Sequence, residues 1–311
     1  MSMRVLAFAL VLLSPPSLMA QQAADVVAPE AGTAAGNWEP GAAAVAALES
    51  RAAGVPVRAQ DWMVVAANPV AVEAGARVLE AGGSAADAMV AVQAVLGLVE
   101  PQSSGLGGGA FLVWYDASTG ELTTLDGRET APLEATPRLF QTAEGEPLGF
   151  FDAVVGGRSV GTPGTPALMA EAHARWGALP WAGLFETAID LSEGGFAVSP
   201  RLAGAIAADA DRLSRFRATA EYFLPGGVLP GVGQVMRNPD YAHTLRLLAA
   251  HGADGFYTGP VAQDVVAAVR TAQGNPGVLG MIDLAIYEVR ERPAICVDYR
   301  AHEVCGMGPP S

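Results

Sequence analysis

The fold of this chain is decided by residues 63–116, which read MVVAANPVAVEAGARVLEAGGSAADAMVAVQAVLGLVEPQSSGLGGGAFLVWYD. The run 62–67 is apolar and has the length of a β-strand. Asn68 and Pro69 are typical of a helix start, and the two glycines that follow Ala81 are typical of a helix end, which predicts a helix over 69–81.

A second helix is predicted over 85–99, because Ser84 can cap it and Asp87 stands three residues later. Its side chains are apolar on nearly every face. A helix of this kind lies in a membrane or in a large core. With 15 residues it is short for a membrane span, so we place it in the core.

The rest of the chain alternates helices with short strands. Residues 110–116 and 121–125 are predicted to form a β-hairpin around a turn at 117–120. Residues 296–299 and 302–306 are predicted to form a second hairpin. Further helices are predicted over 165–176, 181–193, 239–252 and 261–271. This order indicates a mixed α/β (α+β) fold.

The first 60 residues differ in composition from the rest. Residues 1–20 carry one Arg before a nine-residue apolar run and a Pro-Pro pair, which is typical of a secretory signal peptide cleaved near Ala20. No cysteine that could carry a lipid follows it, so we expect a periplasmic or secreted protein without a stable membrane anchor. Residues 21–60, rich in Ala, Gly and Pro, are expected to form a flexible segment, which leaves 61–311 as the folded region.

Composition and charge exclude several classes of function. With 51% hydrophobic and 16% charged residues in 311, the chain can bury a large core. A net charge of −14 without a basic patch argues against a nucleic-acid partner. The four histidines show no spacing typical of metal ligands, so no metal site is expected.

Two short motifs match known signatures on paper. Residues 105–110 have the glycine spacing of a dinucleotide fingerprint, but a helix precedes them and a strand follows, which reverses the required order. We therefore expect no bound cofactor. Ser159 lies in a Gly-x-Ser-x-Gly pattern, but the α/β-hydrolase elbow needs a sharp strand-to-helix turn, and here a helix can begin only near Thr165. Ser159 is kept as an alternative nucleophile.

Arg128 is the strongest candidate for a binding residue. It follows the second strand in the sequence LDGRETAP, residues 125–132. Its planar guanidinium can hold a carboxylate through two hydrogen bonds, which would orient an amino-acid substrate. An ion pair with Glu129 or another nearby acid is the structural alternative, and the residues alone leave both open.

Five segments taken together resemble gamma-glutamyltranspeptidase in its large subunit. They occur in order at 63–116, 125–132, 160–181, 238–262 and 299–311. The resemblance implies an N-terminal-nucleophile hydrolase with αββα layers, made as a zymogen that cleaves itself into two subunits. It implies cleavage of the γ-glutamyl amide bond of glutathione and related compounds, with transfer to water or to an amino-acid or peptide acceptor. No cofactor or metal is implied, and Arg128 occupies the place of the Arg that holds the substrate α-carboxylate.

The nucleophile implied by the resemblance is the N-terminal Thr of the small subunit, whose own amino group can serve as the base. The family's sequence continues for many residues after the Pro-Pro-Ser segment found here at 309–311, so the nucleophilic Thr is expected beyond Ser311. We therefore expect 61–311 to be a partial large subunit, with no catalytic residue in this chain and an incomplete fold. Alone it is expected to be inactive. A non-catalytic binding module derived from the large subunit is the alternative.

The two cysteines, Cys296 and Cys305, lie in the second predicted hairpin. If Arg300 and Ala301 form a two-residue turn, the cysteines face each other with Cα atoms about 4.5 Å apart, which permits a disulfide. A three- to five-residue loop would instead separate them. Ala301 is a poor residue for the tighter turn, and the sequence leaves the pairing open.

Overall fold

The computed structural model of the protein describes residues 40–311. The expected signal peptide and the beginning of the expected flexible segment lie outside this range. Within the segment predicted to be flexible, residues Ala42–Ala52 form helix α1, and the flexibility itself stays a prediction. The sequence of α1, AAAVAALESRA, is rich in strong helix formers, and this local preference outweighs the glycines and prolines around it.

Helices α2 (Pro69–Glu80) and α3 (Ala85–Val99) form where the sequence predicts them. The Asn68 side chain accepts a hydrogen bond from the amide of Val70, and Ser84 and Asp87 form the predicted capping box. Helix α3 is buried along most of its length and packs against α2. It therefore lies in the core, as expected.

The prediction of a strand at 62–67 is wrong. The segment is irregular, and none of the strands within 40–311 pairs with it. Its side chains alternate in exposure: Val64 is half-buried, whereas Met63 and Val65 are exposed. A short apolar run shows that a segment suits a sheet, but a strand also needs a hydrogen-bonding neighbour.

The described strands form three small antiparallel sheets. β1 (Ala110–Asp116) and β2 (Glu121–Gly127) form the first predicted hairpin, and β5 (Arg290–Arg292) pairs with the other edge of β2. β3 (Phe196–Ala197) and β4 (Val235–Met236) form a separate pair. The β1–β2–β5 sheet leads directly into Arg128.

The second predicted hairpin consists of β6 (Ile295–Tyr299) and β7 (His302–Gly306), here called the disulfide hairpin. Its register places Cys296 opposite Cys305, and a disulfide joins them with Cα atoms 4.1 Å apart. The two-residue turn is thus the one adopted. Arg300 takes a φ of 57°, which supplies the left-handed conformation that such a turn requires.

Nine further α-helices lie within residues 40–311. They are α4 (Phe150–Val154), α5 (Thr165–Trp176), α6 (Glu186–Gly194), α7 (Pro200–Leu213), α8 (Arg217–Phe223), α9 (Pro239–His251), α10 (Asp254–Tyr257), α11 (Gly259–Arg270) and α12 (Met281–Ala285). Short 3-10 helices occupy Trp181–Phe185 and Pro225–Gly227. Helix α7 is not among the predicted helices, although Ser199 before Pro200 is the same kind of signal that marks α2, and the Ser199 side chain does cap the helix.

The main core forms where α3 meets α2, α5, α6 and the first 3-10 helix. Leu98 of α3, Met169 of α5, Phe185 and Leu245 of α9 are fully buried in it. Among the helices within 40–311, none has the length and apolar character needed to cross a bilayer. Helices around small antiparallel sheets give the mixed α+β arrangement that the sequence predicts.

Candidate functional site

Arg128 follows directly on strand β2 and lines an open cleft of about 630 Å³. Its side chain is 51% exposed, so the guanidinium is accessible from solvent. The cleft is formed by the loop after β2, by parts of the segment 135–140 and by residues 158–161. Residues contributing to its lining include Arg128, Glu129, Pro132, Leu139, Ser159 and Gly161.

The backbone of Arg128 is held on both sides of its Cα. Its amide donates to Oδ1 of Asp126 at 2.9 Å, and its carbonyl accepts a hydrogen bond from the hydroxyl of Tyr287 at 2.8 Å. Asp126 is buried, and its other oxygen accepts from Nε of Arg292 at 2.6 Å. These bonds fix the point from which the Arg128 side chain leaves the main chain.

The Arg128 side chain makes three long contacts. Its Nε lies 3.3 Å from Oε2 of Glu129, its Nη1 donates to the carbonyl of Pro310 at 3.3 Å, and its guanidinium carbon lies 5.8 Å from the centre of the Phe111 ring. The local ion pair considered as an alternative therefore exists. A half-exposed pair of this kind contributes about 0–1 kcal/mol, which leaves the guanidinium available to a stronger bidentate partner.

The Pro-Pro-Ser segment at 309–311 lies beside this guanidinium. The contact is made by the carbonyl of Pro310, and the amide of the next residue, Ser311, donates to the carbonyl of Gly308 at 3.1 Å. Ser311 itself is exposed and has no described contact with Arg128 or with Ser159. The expectation that the nucleophilic Thr lies beyond Ser311 concerns residues outside this sequence, and it stays a prediction.

Tyr287 is a hydrogen-bond donor at neutral pH. Burial, followed by the negative charges of Asp126 and Glu129, raises the pKa of Tyr287 to about 12. The hydroxyl therefore stays protonated and donates a hydrogen bond to the carbonyl of Arg128, which is an ordinary acceptor.

The glycine-rich loop 105–109 packs against the backbone of Arg128 and Glu129. A Cβ atom on Gly109 would lie 2.9 Å from Cα of Arg128 and 2.8 Å from the amide nitrogen of Glu129, closer than such atoms approach. The carbonyl of Gly108 accepts the amides of Gly164 and Thr165. These glycines allow close approach of three loops, and they precede strand β1 as the sequence predicts, so the order needed for a dinucleotide site is absent from this described loop.

Ser159 lines the same cleft, but without the geometry of a nucleophile elbow. It is exposed, lies in the loop between α4 and α5, and donates its hydroxyl proton to the carbonyl of Val154 at 2.9 Å. The element before it is a helix, and α5 begins only at Thr165. A strained strand-to-helix turn is what exposes and activates the serine in α/β-hydrolases, and this loop does not supply one.

The described histidines and the group of possible metal ligands do not line this cleft. Nε2 of His173 is 2.9 Å from the carbonyl of Leu179 and 3.6 Å from Asp87, which is a structural environment. Within residues 40–311, the one group of three possible metal ligands is Cys296, Glu303 and Cys305. Both of its sulfurs belong to the disulfide, so they offer no thiolate to a metal.

Arg128 is among the residues predicted from the sequence, whereas the residues that hold its backbone are not. Asp126 stands in the same LDGRETAP segment, and its side chain accepts a hydrogen bond from the amide two residues later. This is an Asx-type contact, which can be predicted from the sequence. Tyr287 is 159 positions away along the chain. No periodicity or spacing connects it to Arg128.

Comparison with known proteins gives a consistent result. The family model described as gamma-glutamyltranspeptidase matches residues 71–311. The glutathione hydrolase proenzyme of Bacillus subtilis strain 168 is 38% identical over 252 residues, which cover 81% of this chain and 42% of that protein. Glutathione hydrolase 3 of Arabidopsis thaliana is 36% identical over 256 residues, covering 82% of this chain and 39% of that protein. The chain thus spans about two fifths of the length of these relatives.

A solved structure extends the similarity to three dimensions. The crystal structure of Helicobacter pylori gamma-glutamyltranspeptidase superimposes with a TM-score of 0.78 at 33% sequence identity. The match covers 82% of this chain and 72% of that one. The similarity therefore holds for the fold as well as for the sequence.

Proposed function

Because the chain belongs to the gamma-glutamyltranspeptidase family, we propose that it is part of an enzyme that cleaves the γ-glutamyl amide bond of glutathione and related γ-glutamyl compounds. The γ-glutamyl group would pass to water or to an amino-acid or peptide acceptor. The family membership confirms the resemblance seen in the sequence, and the fold is the α+β type of the N-terminal-nucleophile hydrolases. The observation that carries the proposal is the accessible guanidinium of Arg128 on a fixed backbone.

Arg128 would bind the α-carboxylate of the γ-glutamyl group. Its exposed fork can make two parallel hydrogen bonds to a carboxylate, which gives direction as well as affinity. The carboxylate of Glu129 lies beside it, with 3.3 Å between Nε and Oε2. A cation and an anion side by side complement the carboxylate and ammonium on the α-carbon of a γ-glutamyl compound.

The reaction also needs an activated nucleophile. A hydroxyl attacks an amide only when a base takes its proton, and the Ser159 hydroxyl at this cleft donates instead to a backbone carbonyl. We therefore propose that the attacking group is the N-terminal Thr of a small subunit made from the same precursor. In this proposal Arg128 holds the substrate while that Thr forms the acyl-enzyme, and neither step requires a cofactor.

The enzyme is proposed to act in the periplasm or outside the cell. The support is the sequence of residues 1–20, with a charged residue, a short apolar run and small residues near Ala20. The acidic chain, with its net charge of −14, fits a small-molecule substrate and no nucleic-acid partner.

The test is Arg128→Lys in the full-length precursor. Lysine keeps the charge but loses the second hydrogen bond, so kcat/KM for a γ-glutamyl anilide should fall about 30- to 150-fold, which corresponds to about 2–3 kcal/mol. Hydrolysis of 4-aminobutyryl anilide, which lacks the α-carboxylate, should not change. Arg138→Lys is the matched control, because that arginine is exposed and does not line the cleft.

Four results would contradict the proposal in different ways. Unchanged kcat/KM in Arg128→Lys would remove Arg128 from substrate binding. An equal loss on both substrates would show that the arginine does not read the carboxylate. A full-length precursor that binds glutathione without turning it over would favour the non-catalytic binding module, and labelling of Ser159 by a fluorophosphonate would favour the serine hydrolase.

A further inference from the structure

We propose that Tyr287 is a positioning residue for Arg128, which sets the direction in which the guanidinium enters the cleft. The inference rests on the proposed role of Arg128 as the carboxylate-binding residue. Its basis is the hydrogen bond that the Tyr287 hydroxyl donates to the backbone carbonyl of Arg128 at 2.8 Å. Tyr287 does not line the cleft, so its effect is exerted through the main chain.

Tyr287 is one half of a clamp on a single residue. The amide side of Arg128 is bound to Asp126 at 2.9 Å, and the carbonyl side is bound to Tyr287. Asp126 is itself held by Arg292 on strand β5. With both peptide groups fixed, the side-chain torsions are the main freedom left to Arg128. Removing one anchor lets the peptide unit between Arg128 and Glu129 rotate.

The Tyr287 ring is held rigidly enough to act as an anchor. It stacks on the ring of Tyr257, with 5.7 Å between centroids and 3° between planes. The Tyr257 hydroxyl donates to the carbonyl of Pro163 at 2.7 Å and accepts from the amide of Ala167 at 3.3 Å. A Cβ atom on Gly164 would overlap with the Tyr287 hydroxyl, so the loop before α5 closes over it.

Loss of this anchor should weaken substrate binding more than the bond-making steps. The bidentate contact depends on the plane and direction of the guanidinium, and both depend on where the side chain starts. An interaction that is equally strong in the ground state and the transition state appears in KM and not in kcat. A backbone hydrogen bond of ordinary strength corresponds to a change of about 5- to 10-fold.

The experiment compares Tyr287→Phe with Tyr241→Phe in the full-length precursor. Both replacements remove one hydroxyl that donates to a backbone carbonyl, at Arg128 in the first case and at Ala94 of α3 in the second, at 2.9 Å. Tyr287→Phe should raise KM for a γ-glutamyl anilide about 5- to 10-fold with kcat within about twofold. Tyr241→Phe should change neither KM nor kcat. With 4-aminobutyryl anilide as the substrate, Tyr287→Phe should have the same KM and kcat as the wild type.

The double variant Arg128→Lys, Tyr287→Phe separates this inference from the proposed function. If Tyr287 acts through Arg128, the double variant should be no worse than Arg128→Lys alone. If Arg128→Lys changes nothing, the proposed function fails. If Arg128→Lys raises KM while Tyr287→Phe does not, or if the effects add in full, the positioning role is overturned.

A folding control keeps the result interpretable. Circular dichroism and thermal unfolding should show that Tyr287→Phe folds, because the ring and its stacking on Tyr257 are retained. If it does not fold, Tyr257→Phe gives a second measurement, since it removes the hydroxyl that ties the neighbouring ring to Pro163. A KM increase confined to the substrate with an α-carboxylate supports the inference, and an unchanged KM overturns it.

Discussion

Replacing Asp87 should reveal a junction on which the core depends. Asp87 is fully buried in the first turn of α3, and one of its oxygens accepts the amides of Ser84 at 2.9 Å, Ala178 at 2.9 Å and Leu179 at 3.1 Å. The first bond caps α3, and the other two fasten the loop that follows α5. Asp87→Ala therefore removes a helix cap and a tertiary contact together.

The expected cost follows from these bonds. Losing a cap costs about 1 kcal/mol, and a hydrogen bond to a charged group contributes about 1.5–3 kcal/mol. The Ala178 amide lies in an exposed residue, so water can replace part of what is lost. We expect Asp87→Ala to lower the free energy of unfolding by about 3 kcal/mol. Asp87→Asn keeps an acceptor oxygen in place and should lower it by only about 1 kcal/mol, the difference between charged and neutral acceptors.

The effect should depend on pH in a defined direction. Burial raises the pKa of Asp87, but the hydrogen bonds from Ser84, Ala178 and Leu179 outweigh it and hold the pKa below the ordinary value of 3.8. A carboxyl whose pKa is lowered in the folded state stabilises the fold above its unfolded pKa and loses that contribution as the pH falls. The difference between wild type and Asp87→Asn should therefore be largest at neutral pH and shrink below 3.8.

Urea unfolding followed by circular dichroism, at pH 7 and in a series down to about pH 3, would measure both effects. Asp116→Asn is a useful control, because hydrogen bonds from Ser118 also lower the pKa of Asp116, but these bonds are exposed to solvent. An unfolding free energy of Asp87→Ala within about 0.5 kcal/mol of wild type would refute the reasoning. So would a wild type–Asp87→Asn difference that grows in acid.

Two further predictions concern stability. Gly157→Ala should destabilise the protein by more than about 2 kcal/mol, because its Cβ would overlap with the carbonyl of Val269, whereas Gly204→Ala in α7 has open space and should be neutral or stabilising by up to about 1 kcal/mol; equal melting temperatures for the two variants would contradict this. Reducing the disulfide hairpin should accelerate amide hydrogen exchange in β6 and β7, since a two-stranded sheet alone is marginal. Exchange in β1 should not change, and equal protection of the hairpin with and without a reducing agent would contradict the expectation.

Only part of the candidate site could be predicted from the sequence. Arg128 stands in a short segment whose order and spacing resemble a known family, so it could be found without coordinates. The backbone bond from its amide to Asp126 is local and belongs to the same segment. The Tyr287 hydrogen bond joins residues 159 positions apart, and such contacts leave no periodic trace in a single sequence.

Local chemistry determined the elements whose signals lie within a few residues. The caps at Asn68 and Ser84, the glycines after α2 and the apolar face of α3 each act over one helical turn, so the sequence alone predicts α2 and α3. The disulfide hairpin is determined only in part by local sequence. Its facing cysteines follow from one turn, but which turn forms depends on whether Arg300 accepts a left-handed backbone.

Tertiary structure decided what depends on partners distant in sequence. The run 62–67 has the pattern of a strand, yet a strand exists only where another backbone meets its hydrogen-bonding groups, and no described strand does so. The clamp on Arg128 is likewise completed only in the fold, where the segment before β5 brings Tyr287 to the carbonyl and β5 brings Arg292 to Asp126. Sequence sets which groups seek partners within a turn of the chain, and packing over long separations decides which of them meet.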